Sequence, residues 1–499
     1  MNFRNLHIQK SLLHMRLFIT ALFLLSFFAG IAQPGYKIDF KIKGLKDSTV
    51  YLGYYTDGNT LLKDTAKANS QGAFSFEGNN NLIQGVYYLV VDNKKEKIKL
   101  PFDMVVGTDQ RFAMEGSTED YITNMKVTGD EDNRLFFENM IYNGARHKEA
   151  DPFIKTIRDS TLKEDQKKDA REKFKKINDQ VLAYQADLVA KHPTTITAKI
   201  LKSTQEIIIP DPPKKANGTI DSSFQFRYYR DHYFDNFDVW DEVNLHLPRP
   251  LYKEKVYDYL DRLFVQHPDS ITKEIKKLVL KSQKNQETYK YMVWICLTHY
   301  QTPTIMGLDE VYVNLVDIYF KSGEMDFWVD PTTKKNMVDY ASKVRLAMIG
   351  RTAPNLIMQD QAGQPKSMYD IKKKYTIVYI FDPDCGHCRE ESPKLVDFYN
   401  KNKVKLNLEI YAVSADTSMK KMRDYIKEMK MPWITVNGPR TYIKEHYSQL
   451  YFSETTPSLY ILDDKKKVIA RKLSVEALPD FFEKHEKFAK KQPNVNKGS

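Results

Sequence analysis

Tyr375-Thr-Ile-Val-Tyr-Ile-Phe-Asp-Pro-Asp-Cys-Gly-His-Cys388 decides how the C-terminal part of this chain folds. Its first seven residues are β-branched or aromatic and apolar on both faces, so they read as a strand buried from two sides. Asp382-Pro383-Asp384 ends that strand. After Cys388, residues Leu395, Val396, Phe398 and Tyr399 recur on one side of a helix. Cys385 therefore falls at a helix N-terminus, where unpaired backbone N–H groups and the positive dipole end favour an anion. Cysteines so placed have pKa values lowered from roughly 8.5 to about 3.5–7.5, which makes thiolate available near neutral pH. Cys388 lies within reach as a resolving thiol. The pair has the outline of a dithiol–disulfide switch.

The whole chain has 499 residues, too many for one core, and is expected to divide into about three folded domains. Hydrophobic residues make up 42% and charged residues 28%, which excludes general disorder. Only three cysteines occur, too few for a disulfide-stapled scaffold or a four-cysteine zinc site. The net charge of +11 is carried by lysines scattered among equally scattered acids. That pattern describes a solvated surface and not a nucleic-acid patch.

Residues 1–32 read as a signal peptide. Arg16 precedes the apolar run Leu17–Phe28, which is short for a membrane span, and Gly30-Ile31-Ala32 supplies small residues at a cleavage-type site. After cleavage no stable membrane insertion is expected. Residues 33–130 read as a small antiparallel β-sandwich. Strands are expected at 36–42, 50–55, 73–76, 86–91 and 98–102, separated by turn signals such as Asp57-Gly58-Asn59 and Gln71-Gly72.

From 131 to 345 the pattern becomes mostly α-helical. Phe174, Ile177, Val181, Tyr184 and Leu188 form one apolar stripe that should stop before His192-Pro193. Tyr184, Leu188, His192-Pro193, Ile196 and Thr197 return 75 residues on, in the same order and spacing, as Tyr259, Leu263, His267-Pro268, Ile271 and Thr272, which reads as a repeated helix–turn–helix. The paired His-Pro dipeptides read as turns, not metal ligands. Cys296 shares a helical face with Tyr289, Val293 and Tyr300 and reads as a buried small hydrophobe.

Residues 346–490 resemble the thioredoxin superfamily, and within it the exported bacterial TlpA/ResA-like thiol-disulfide oxidoreductases. Gly350-Arg-Thr-Ala353-Pro354-Asn is similar to that family's opening motif, and Pro393 stands where the family kinks its first helix. Thr456-Pro457, just before the strand Ser458–Leu462, is similar to the family's cis-proline. The resemblance implies a C-terminal α/β thioredoxin fold, with Thr456 and Pro457 binding substrate, followed by a polar tail at 491–499. It also implies that Glu391, three residues past the second cysteine, exchanges a proton with Cys388 from a partly desolvated position. Two departures bear on the chemistry. Asp384 replaces the usual tryptophan before the first cysteine, and Tyr379 replaces the buried aspartate of thioredoxin itself.

Gly386 and His387 lie between the cysteines, as in protein disulfide isomerase. A histidine cation would favour the Cys385 thiolate and move the potential from roughly −270 mV toward about −180 mV. The function implied is an exported enzyme, bacterial and periplasmic, that exchanges disulfides with protein thiols through Cys385 and Cys388. A separate redox partner would recharge the dithiol. No nicotinamide, flavin or metal cofactor is expected. Two alternatives are a copper-handling protein using Cys385, His387 and Cys388 as soft ligands, and a binding protein whose redox module is auxiliary. A peroxiredoxin is excluded, because Asp382 and Val378 stand where its threonine and proline would be.

Overall fold

A computed structural model describes residues 35–92, 97–214, 218–453 and 455–491. The expected leader at 1–32 lies outside these residues, as does the tail beyond Lys491. The chain divides into two units, Met1–Tyr252 and Lys253–Ser499. The helical stretch 131–345 is thus shared between them.

The first unit begins with β1 (Tyr36–Lys43), β2 (Thr49–Thr56), β3 (Asn59–Lys67) and β4 (Ala73–Gly78), then β5 (Gly85–Asp92), β6 (Lys97–Val106), β7 (Arg111–Ser117) and β8 (Lys126–Thr128). They form two four-stranded sheets, ordered β4-β1-β7-β8 and β3-β2-β5-β6. Alternation explains the sandwich: Ile38, Phe40 and Ile42 of β1 meet Leu52, Leu89 and Met104 of the other sheet in one core. One expectation needs correcting. The sheets are not wholly antiparallel, because β1 and β7 run parallel, from Lys37 opposite Arg111 to Lys43 opposite Ser117. Helices α1 (Glu131–Arg158), α2 (Glu164–Lys191), α3 (Ile196–Thr204) and α4 (Phe224–His232) follow. Phe137 of α1 joins the sandwich core.

The second unit opens with α5 (Leu251–Arg262), which begins two residues before the division. Then come α6 (Pro268–Ser282), α7 (Gln286–Gln301), α8 (Asp309–Leu315) and α9 (Pro331–Leu346). The His-Pro dipeptides are turns: His192 caps the end of α2, and His267 caps the start of α6. Cys296 on α7 is fully buried.

The α/β part follows as β9 (Ile357–Asp360), β10 (Pro365–Ser367), β11 (Tyr375–Phe381), α10 (Gly386–Asn402), β12 (Leu408–Ser414) and α11 (Met419–Met429). It ends with β13 (Ile434–Thr441), α12 (Tyr447–Leu450), β14 (Ser458–Leu462), β15 (Val468–Arg471) and α13 (Leu478–Lys491). One seven-stranded sheet results, ordered β10-β9-β13-β12-β11-β14-β15. Strand β11 lies inside it, parallel to β12 and antiparallel to β14, and all seven of its residues are buried. Odd-numbered residues of β11 pack with Leu395, Phe398, Tyr425 and Phe482 from α10, α11 and α13. Its even-numbered residues Val378 and Ile380 pack on the other face with Leu356, Tyr451 and Val468. A strand covered on both faces has no polar side, which is why the sequence shows none there.

Candidate active site

Burial of β11 on both faces fixes where it ends, and the chain leaves the sheet through Asp382-Pro383-Asp384. Cys385 is the residue before the first turn of α10, in extended conformation, and so sits beside the N–H groups that the turn leaves without helical partners. The Cys385 thiol is half-buried and donates to the Thr456 carbonyl at 3.3 Å. The Thr456–Pro457 peptide bond is cis. Cys388, one turn into α10, is wholly buried, and its sulfur accepts the Asp382 N–H at 3.5 Å. Both cysteines are free thiols in this structure.

Their surroundings drive the two thiols apart. For Cys385, burial works against ionisation. Hydrogen bonds from the Cys388 backbone, the Thr456 side chain, the Cys388 thiol and the His387 backbone outweigh it and hold the thiol below its ordinary value. For Cys388, burial dominates and pushes it up to about 12, against the Asp382 N–H. The arrangement gives one ready nucleophile at the surface and one protonated thiol behind it.

The remaining residues singled out from sequence fall as follows. His387 points its imidazole into solvent, 83% exposed, with Nδ1 3.6 Å from Glu390. Its backbone N–H bears on Cys385. Glu391 is only 18% exposed; it accepts from the Lys394 ammonium at 2.9 Å and from the Val475 N–H at 3.1 Å. Lys394 also pairs with Glu476. Asp384 is not free to act on the thiolate alone, since Lys421 bonds it at 2.5 Å and Asp416 at 3.1 Å. The carboxylates of Asp382, Asp384 and Asp416 lie within 4.8 Å of one another around that lysine.

Two features escaped the sequence. Tyr379, which stands where thioredoxin has an aspartate, is buried and tied through Ser392 (2.9 Å) to Tyr425 (3.0 Å), a chain of three hydroxyls beneath the dithiol. The signal for it was the tyrosine itself, a hydroxyl in the middle of a strand buried on both faces. The second is a cleft of about 560 Å³ lined by Tyr379, His387, Glu391 and Pro457, and also by Tyr340 of α9 and Phe452. Nothing in the local pattern marks Tyr340 or Phe452, because only the tertiary fold brings them to the dithiol.

A thioredoxin-type sheet, a helix-capping cysteine with a buried second thiol, and a cis-proline beside them define a thioredoxin-fold domain of the thiol-disulfide oxidoreductase class. Residues 349–471 match the AhpC/TSA family, residues 164–346 a domain of unknown function (DUF5106), and residues 36–136 another (DUF4369). Human nucleoredoxin is 33% identical over 119 residues, 24% of this chain and 27% of that protein. The thiol-disulfide oxidoreductase ResA of Bacillus cereus is 26% identical over 132 residues, 26% of this chain and 73% of that one. A solved domain from Cytophaga hutchinsonii, described as of a "possible thiol-disulfide isomerase", is 34% identical. It covers 29% of this chain and 97% of its own, with a TM-score of 0.27. The chain thus spans about a quarter of the length of the nucleoredoxin it matches.

Proposed function

We propose that this protein is an exported enzyme that exchanges disulfides with protein clients. The observation that carries the reading is the Cys385 sulfur, half-exposed and held below its ordinary pKa, with a buried thiol one helical turn behind it. The Cys385 thiolate attacks one sulfur of a client disulfide. The client S–S bond breaks, a mixed disulfide forms against Thr456 and Pro457, and the first client sulfur leaves as thiolate and takes a proton from water. Cys388 then gives its proton to Glu391 and displaces from Cys385 the second client sulfur, which leaves as thiolate and takes that proton from Glu391. The client is reduced by two electrons and the Cys385–Cys388 pair is oxidised by two. A dithiol protein of lower potential would restore it, and the same atoms run in reverse against a reduced client.

Export to a bacterial periplasm is part of this proposal and rests on the charged-then-apolar run from Arg16 to Phe28. No described helix is long and apolar enough to cross a membrane. Reduction of insulin by dithiothreitol, followed as turbidity, tests the enzyme reading. Wild type should accelerate it and Cys385→Ser should not; equal rates would overturn the proposal. A Cys388→Ala variant should retain clients as mixed disulfides that a reductant releases.

A further inference from the structure

The cleft beside the dithiol is larger than a disulfide needs, and part of its wall comes from outside the thioredoxin fold. At about 560 Å³ it has the size of sites that enclose several groups of a ligand. His387, Pro457 and the buried Tyr379, neighbours of the dithiol in sequence or in space, are part of its lining. Phe452, Lys472, Thr302 and Tyr340 line it as well, the last two from the helical segment that precedes the α/β sheet: Thr302 follows α7 directly and Tyr340 is on α9. Tyr340 is not a chance neighbour. Its ring meets Phe452 edge-on at 4.8 Å and is backed by Tyr312 at 5.2 Å, while the Lys472 ammonium lies 5.2 Å from the centre of the Phe452 ring. Packed rings of this kind give a fixed apolar surface that loses little freedom when something settles on it.

We propose that this aromatic wall, with Tyr340 as its specificity-determining residue, binds an apolar side chain of the client segment whose cysteine Cys385 attacks. The inference rests on the disulfide-exchange reading above and names the client that reading leaves open: an extended segment with an aliphatic or aromatic residue close to its cysteine. The occupant follows from continuity. The cleft is lined by His387, two residues from the nucleophile, and by Thr455 and Pro457 on either side of the Thr456 whose carbonyl Cys385 contacts, so a segment joined to the attacked sulfur lies beside it. The hydroxyls of Thr302, Thr455 and Ser474 along the same cleft suit the backbone groups of an extended chain, and the rings suit its apolar side chain.

The test uses the full chain and three disulfides that each release 2-nitro-5-thiobenzoate when Cys385 attacks. Two are short peptides whose cysteine is flanked by leucine and phenylalanine or by serines, and the third is the symmetrical small reagent. Wild type should react about tenfold or more faster with the apolar peptide than with the serine peptide, the range one apolar side chain commonly gives. Tyr340→Ala should bring that ratio close to one by slowing the apolar peptide, each peptide rate being divided by the same protein's rate with the small reagent. Thr302→Trp alters an exposed residue of the same cleft lining and guards against misfolding of the tyrosine variant; it too should collapse the ratio by obstruction. A wild-type ratio near one, or a ratio that survives both substitutions, overturns the proposal. Failure of wild type to react with any of the three would instead overturn disulfide exchange itself, and this inference with it.

Discussion

At the scale of single residues, the site separates two chemically identical thiols by environment alone. Cys385 is held low by hydrogen bonds at the helix start and Cys388 is pushed up to about 12 by burial. Iodoacetamide should therefore label Cys385 first, at a rate that rises with pH to a midpoint below the usual thiol value of roughly 8.5. Peptide mapping after a short pulse checks this; equal labelling of the two cysteines would contradict the assignment. The same shifts act on stability of the reduced form with opposite signs. The Cys385 contribution is present above the unfolded thiol pKa and is lost as pH falls through its folded value. The Cys388 contribution is present below the unfolded value and is lost as pH rises toward about 12. Cys388→Ala should accordingly flatten the alkaline loss of stability seen in urea unfolding. Glu391 is the residue for which geometry adds most to sequence. Its carboxylate is anchored by Lys394 and the Val475 N–H, so it is fixed in place beside the cleft. Glu391→Gln should leave Cys385 alkylation untouched and slow the second displacement by about 10²-fold, the low end for a positioned acid or base. Acid quenching would then show accumulated mixed disulfide. The cysteines were legible because strand, break and helix stages are all local. The Lys421 contact with Asp384 was not, since it joins residues remote in sequence.

At the scale of elements, one ion pair ties the last strand of the sheet to the helices before it. Arg471 on β15 is buried and paired with Asp309 at the start of α8, and its guanidinium also donates to the Ala347 carbonyl at 3.2 Å. Desolvation lowers its pKa to about 10, a sign of how far it is removed from water. Removing one partner of such a pair strands the other charge, so Asp309→Ala should cost about 3–5 kcal/mol in denaturant unfolding. Replacing both, Asp309→Leu with Arg471→Met, should recover most of that loss, because two apolar groups leave no orphan. A small effect of the single change would mean that the pair is solvated. No periodicity announces this contact. The elements that sequence did reveal carry their own signal: β11 and β14 were expected at 375–381 and 458–462 and are found there. Strand β3 was missed because it is an edge strand with largely exposed residues and no alternation, so neither face was written in apolar residues. The parallel pairing of β1 with β7 joins segments about 70 residues apart, and alternation reports a strand's faces but not its partner.

At the scale of the molecule, the useful question is how much chain the redox site needs. A resemblance that begins at Gly350 invites a cut just before it, near Ala347. The packing argues against that cut. Arg471 would lose Asp309 and the Val344 carbonyl, Phe452 would lose the Tyr340 ring, and one wall of the cleft would be gone. The second unit begins at Lys253, and α5 begins at Leu251, so a cut near residue 248 keeps these contacts whole. A chain of residues 248–499 should unfold cooperatively and reduce insulin at close to the full-length rate. A chain of residues 347–499 should melt markedly lower, with Arg471 opened to water, and should lose the preference for apolar flanks even where the small reagent still reacts. Thermal unfolding of the two fragments, read beside their rates with the peptide and small disulfides, distinguishes a helical segment that completes the enzyme from one that merely precedes it. Equal melting and equal selectivity would show that α5 to α9 contribute nothing to the site.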